Sequence, residues 1–179
     1  MSQVIDLEKE RRLIHVKRAF RNWITRFKED FGPETRLGHI SLDTLSFLAQ
    51  GDEKSTFYLY DLIMEMKALG SGFEFNDLPP KKKMIVIDQY LFLLDRIRFE
   101  CMKRLGWLES YPGEEFSLVS LVIQYDRLAP GLQANIPHLR RDHPEYAKFA
   151  VISTYDKEGF VRKLIPKLMR ALDDYGKTL

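Results

Sequence analysis

Apolar residues along this chain recur at intervals of three and four, the spacing of a helix face, and rarely alternate as they do along a strand. With each residue advancing the helical azimuth by about 100°, Leu13, Val16, Phe20, Trp23, Ile24, Phe27 and Phe31 fall within about 60° of Phe20. That stripe predicts a long amphipathic helix from about Asp6 to Phe31, closed by Gly32-Pro33. Its opposite face carries Arg11, His15, Arg18, Asn22 and Arg26, with Lys17, Arg21 and Lys28 along one flank and Arg12 on the other.

Further along, Ser41 opens a short helix through Leu42, Leu45 and Leu48 to Gly51, and Asp52 begins a second that ends at Gly70-Ser71-Gly72. Pro79 and Pro80 mark the start of a helix over 81–106. Val86, Ile87, Tyr90, Leu94, Ile97, Cys101 and Leu105 form one face of it, and Leu91, Phe92, Phe99 and Met102 add apolar bulk elsewhere. A helix apolar on most sides is predicted to be central. Residues 108–113 read as a turn and 114–128 as a helix with acids in its first turn. From Ala129 to Glu145, three prolines and weak periodicity predict a long loop or broken helix. A short helix then starts at Pro144. The last helix is entered through 153–158, with Phe160, Leu164, Leu168, Leu172 and Tyr175 as its core stripe and a kink at Pro166. The expected fold is all-α: one compact bundle of six or seven helices, residues 1–179 as a single domain, around the 81–106 helix.

Composition narrows the class without naming a function. Hydrophobic residues make up 45% of the 179 and charged residues 30%, which excludes the disordered regime. The opening residues are too polar for a signal peptide, and the most apolar run, 84–95, is interrupted by Asp88 and Gln89 and too short to span a bilayer. The single cysteine, Cys101, excludes a disulfide framework. A cytoplasmic protein without membrane association is therefore expected. The net charge of +2 hides an uneven distribution, +5 over 1–28, −7 over 29–79 and +4 over the rest. Such asymmetry points either to a partner or to the basic first helix lying against the acidic middle of its own fold, and the near-neutral total favours the second.

Four groupings carry candidate chemistry. His138, Asp142 and His143 could ligate a metal, and Arg140 and Arg141 beside them could hold a phosphate, although the spacing matches no helical metal pair. Asp88 and Asp95, seven residues apart on one side of an apolar helix, form a candidate buried acid pair that an Arg or Lys from a neighbouring element is expected to neutralise. Cys101 falls on the apolar face and is expected to be an inert core thiol. Cationic surfaces arise at Arg11, His15, Arg18 and Arg26, at Arg140 and Arg141, and at Lys163 and Lys167.

Glycine-rich phosphate loops, nucleophile elbows, Cys-x-x-Cys and His-Glu-x-x-His motifs are all absent from the sequence, and no motif calls for a cofactor. The leading expectation is a non-enzymatic helical interaction or assembly module that binds a protein partner, with a homo-oligomer among the options. A nucleic-acid-associated subunit contacting phosphates through the basic helix faces comes second. A metal- or phosphate-dependent enzyme using the 138–143 loop comes third.

Overall fold

The computed structural model describes residues 2–177, and within them every side chain except those of residues 2–6, 8, 9, 12 and 177. The expected position of Arg12 on the helix flank thus lies outside the described residues. The architecture is all-α. In chain order the helices are α1 (Ser2–Phe27), α2 (Leu42–Leu48), α3 (Glu53–Met66), α4 (Pro80–Arg104), α5 (Leu118–Ile123), α6 (Tyr125–Ala134), α7 (Tyr146–Val151), α8 (Thr154–Arg162) and α9 (Ile165–Lys177). Single 3-10 turns occupy Leu37–His39 and Gly72–Asp77, and a small antiparallel pair joins β1 (Leu108–Ser110) to β2 (His138–Leu139).

Helix α4 is the hub, packing against α2, α3, α9, β1 and the 37–39 turn. Val86, Leu93, Ile97, Cys101 and Met102 are fully or almost fully buried along it. Pro80 at its first position sacrifices only an amide that has no intrahelical acceptor. Its central role is not uniform along its length, because Met84, Ile85 and Leu91 face outward. α1 lies across α3. Val16, Ala19, Phe20 and Trp23 are its buried residues, and the Trp23 indole donates to the Tyr58 carbonyl (2.9 Å). Phe20, Trp23, Phe27, Phe31, Phe47 and Tyr58 form a continuous aromatic cluster at 5.4–6.4 Å between neighbouring rings. Truncating a buried Trp in such a cluster costs about 3–5 kcal/mol.

Caps fix the remaining ends. Ser41 and Asp52 each accept an amide three residues on, opening α2 and α3. Glu29 reinforces the first cap from outside, accepting from the Ser41 amide (2.9 Å), the Ser41 hydroxyl (2.8 Å) and the Thr44 hydroxyl. Burial by itself raises the Glu29 pKa, but these three donors and the charge of Arg104 together more than offset it and hold the carboxyl below its ordinary value.

Several boundaries differ from the periodicity reading. α1 ends at Phe27 because Lys28 turns into the left-handed region (φ 57°). Leu13 and Ile24 stay exposed, since the buried stripe is narrower than the apolar one. The 114–128 segment is two helices that break at Gln124, and α6 continues through Pro130 into the stretch expected as loop. β1 and β2 are too short to display alternation, so they escaped a strand search. The kink expected at Pro166 falls earlier, between α8 and α9. Pro166 occupies the first turn of α9, where the ring is tolerated. These splits account for nine α-helices among the described residues where six or seven were expected.

Candidate functional site

On α1 the same helix that buries Phe20 and Trp23 presents a second stripe to the outside. Leu7, Glu10, Ile14, Lys17, Arg21 and Ile24 are all exposed, at successive intervals of three, four, three, four and three residues. Their mean azimuth lies roughly 140° from that of the buried stripe, nearly the opposite face. Leu7 is 58% exposed, Ile14 51% and Ile24 43%, so three large aliphatic side chains sit in water along one line. Ile14, Lys17, Arg18, Arg21, Ile24 and Thr25 line a shallow groove of about 450 Å³. Apolar and cationic side chains therefore share one surface instead of occupying separate faces.

The cations of this helix are only weakly answered from within the fold. Asn22 donates to Asp61 (2.9 Å), a fully buried carboxylate that also accepts from the Gly72 amide (2.8 Å). Glu65 on α3 is raised by burial and by neighbouring Asp61, with the charges of Arg18 and Arg21 pulling the other way. Arg26 lies 4.8 Å over the Phe47 ring. Among the described residues, no ion pair within 4 Å includes Arg11, Lys17, Arg18, Arg21, Arg26 or Lys28. The acidic middle segment meets α1 through aromatic packing and the Trp23 and Asn22 hydrogen bonds, not through a ladder of salt bridges. His15 is half-buried, and Asn22 faces α3 instead of sitting on the opposite face.

The 138–145 segment is organised differently. His138 and Leu139 form β2, which pairs with β1, and the Arg140 amide donates to the Trp107 carbonyl (2.9 Å). Exposed His138 and half-buried His143 do not gather at one point. The His143 Nδ1 accepts from the Glu145 amide (3.1 Å) and its ring stands edge-on to Trp107. Burial lowers the His143 pKa, against the opposing pull of Glu145. Asp142 pairs with Arg140 (3.2 Å) and Lys167 with Glu145 (3.4 Å). Among the described residues no cluster of three His, Cys, Asp or Glu side chains is placed to hold a metal. Lys103, Leu108, Glu109, Arg140, Arg141 and Asp142 surround a cleft of about 640 Å³, but Lys103 is tied to Glu114 (3.2 Å). Arg141 and Lys163 are exposed. The sequence reading did not include Lys103, Trp107 or Glu109, because α4 and the β1 pairing bring them to the loop from over thirty residues away.

Of the two acids expected as a pair, Asp88 is exposed and Asp95 half-buried, so they are not a buried pair. Asp95 receives both terminal nitrogens of Arg162 (2.7 and 3.2 Å), a bidentate partner supplied by α8 and not by α1. Cys101 is fully buried, and burial pushes its thiol up to about 12, far from the thiolate a nucleophile requires. The remaining buried acid on α4, Glu100, accepts from Tyr111 (2.7 Å) and pairs with Arg104 (3.0 Å). Arg104 in turn donates to the carbonyls of Leu37, Gly38 and Ile40 (3.1, 2.9 and 2.7 Å).

No described helix is long and apolar enough to cross a membrane. No protein-family model, curated protein sequence or solved structure matches this chain.

Proposed function

We propose that this chain is a non-enzymatic interaction module whose protein partner docks along the outer face of α1. The observation that carries the reading is the run of six consecutive exposed positions, Leu7 to Ile24, at the three-four spacing by which one helix seats another. Exposed aliphatic residues scattered singly need no explanation, but here three of them align on one helix, and two, Ile14 and Ile24, share a groove with cations. The polar groups that a catalytic reading would recruit are engaged structurally: His143 closes a local turn, Asp95 is clamped by Arg162, and Cys101 is a core thiol. A phosphate-binding reading draws on the same cations, yet Arg140 in the loop and Lys167 on α9 are balanced by Asp142 and Glu145.

The test separates folding from docking. Ile14→Ser with Ile24→Ser alters only exposed positions, so stability should change by no more than about 0.5 kcal/mol per site. In nuclease-treated extracts of the cells that make the chain, the wild type should elute in a complex larger than its own mass, and the double variant near it. A complex that nuclease dissolves, or one that both variants enter equally, contradicts the reading.

A further inference from the structure

The chemistry of the α1 groove also constrains what fills it. We infer that the occupant is an acidic amphipathic helix. It would carry aliphatic residues at three-four spacing that meet Leu7, Ile14 and Ile24, and carboxylates that meet Lys17, Arg18 and Arg21. The inference rests on the docking reading above and goes beyond it by assigning the partner's chemistry.

Four classes of occupant present themselves, and the arrangement of side chains discriminates among them. A membrane surface takes a helix whose apolar residues form one continuous face with the cations at its borders. On α1, Lys17 and Arg21 lie within the apolar line, between Ile14 and Ile24, so inserting the aliphatic residues would drag the charges in with them. A nucleic-acid backbone uses cations alone, and the aliphatic members of the groove would be left in water against phosphate, with no exposed aromatic ring beside them to stack a base. A second copy of this chain, laid antiparallel over α1, does bring Glu10 opposite Arg21 and Leu7 opposite Ile24. In that register Lys17 faces Ile14, and each copy brings Arg11, Lys17, Arg18 and Arg21 to the contact against Glu10, so net like charge opposes it. An acidic helix satisfies both halves of the surface. Its aliphatic residues cover the exposed Leu and Ile side chains, and its carboxylates meet cations that no ion pair among the described residues occupies.

From Leu7 to Ile24 the stripe runs about 26 Å at 1.5 Å per residue, so an occupant of about five helical turns covers it. The charge component makes binding salt-sensitive, because Lys17, Arg18 and Arg21 are exposed. The aliphatic component makes it depend on shape as well, which separates it from a diffuse attraction between opposite charges.

The probe is a fluorescein-labelled peptide of three heptads with Leu at the two core positions and Glu at the flanks, titrated against the full chain by anisotropy. Two controls replace every Glu by Gln, or every core Leu by Ser. The expected result is micromolar binding of the acidic amphipathic probe, at least tenfold weaker for either control. Arg18→Glu with Arg21→Glu should abolish binding. Ile14→Ser with Ile24→Ser should weaken it at least fivefold, and Arg140→Glu with Arg141→Glu should leave it unchanged. Circular dichroism of each variant confirms an unaltered helical fold. The inference is overturned if the acidic probe does not bind at 100 micromolar (roughly −5.5 kcal/mol). It is equally overturned if the Ser control binds as well as the Leu probe, or if RNA or anionic vesicles bind in a manner that ignores Ile14 and Ile24. When the probe fails yet the native complex still collapses with Ile14→Ser and Ile24→Ser, docking on α1 stands and only the acidic chemistry of the partner falls.

Discussion

Gly72 shows how closely single residues are specified. A Cβ at this position would lie 2.9 Å from the Asp61 Cβ, 3.0 Å from its Cα and 3.0 Å from the Phe57 ring, all in a buried environment. The amide of the same residue holds the Asp61 carboxylate. Gly72→Ala should therefore destabilise the fold by about 1–3 kcal/mol through forced displacement of α3, measured by urea denaturation. Gln89 is an opposite case: it is 1% exposed and neither polar atom of its amide has a protein partner. Gln89→Leu should raise stability by about 1 kcal/mol, since it removes an unbonded buried amide from an apolar helix. A lower midpoint for Gln89→Leu would contradict this account of the α4 interface. Neither feature was legible in the sequence. Gly72 stood within a cluster that reads as a helix stop, and Gln89 as an interruption of an apolar run, because both depend on which distant residue lies opposite.

At the scale of elements, capping and long-range clamps decide where helices begin and how they are held. Glu29 is twelve residues before the Ser41 cap that it supports. Its pKa in the folded chain lies below the ordinary 4.5, so its contribution to stability is complete above that value and is lost as pH falls through the folded pKa. The stability difference between wild type and Glu29→Gln should thus be largest near neutrality and shrink below pH 4.5, followed by thermal unfolding across pH. Arg104 ties α4 to the 37–39 turn and neutralises Glu100, which is 4% exposed. Leaving a buried carboxylate without its cation is costly, and Arg104→Ala should lose about 2–4 kcal/mol, with Glu100→Gln recovering part of the loss. Helix identity for α1, α3, α4 and α9 follows from apolar spacing and cap residues alone. The breaks at Gln124 and before Ile165, and the β1–β2 pairing, do not, because they depend on which distant element each segment packs against: α5 on α3, and α9 and β1 on α4.

For the molecule as a whole, the question set by its charge distribution has a mixed answer. The basic first helix does rest on the acidic middle segment, but it does so through Phe20, Trp23 and the Asn22–Asp61 bond, and its outer cations stay in solvent. A single apolar stripe centred on Phe20 predicts the core face of α1 and conceals the second, because Leu13 and Ile24 fall within it by azimuth and Leu7 and Ile14 outside it. The residue numbers of the outer stripe were present all along. What sequence alone could not provide was the knowledge that the body covers only the stripe centred between Ala19 and Trp23. The same applies to the 138–143 loop, where His138 joins the β1–β2 pair and His143 sits beside Trp107 and accepts from the Glu145 amide, neither of which the spacing shows.

The docking role of the outer α1 face is tested most directly by placing a photo-crosslinking residue at Ile14 in the full chain, in the cells that make it, with the still more exposed Val151 as a control elsewhere on the surface. The account predicts a discrete protein adduct from Ile14 that is lost on adding Arg18→Glu and Arg21→Glu, and none from Val151. Equal adducts from both positions, or an Ile14 adduct that nuclease digests, would contradict it.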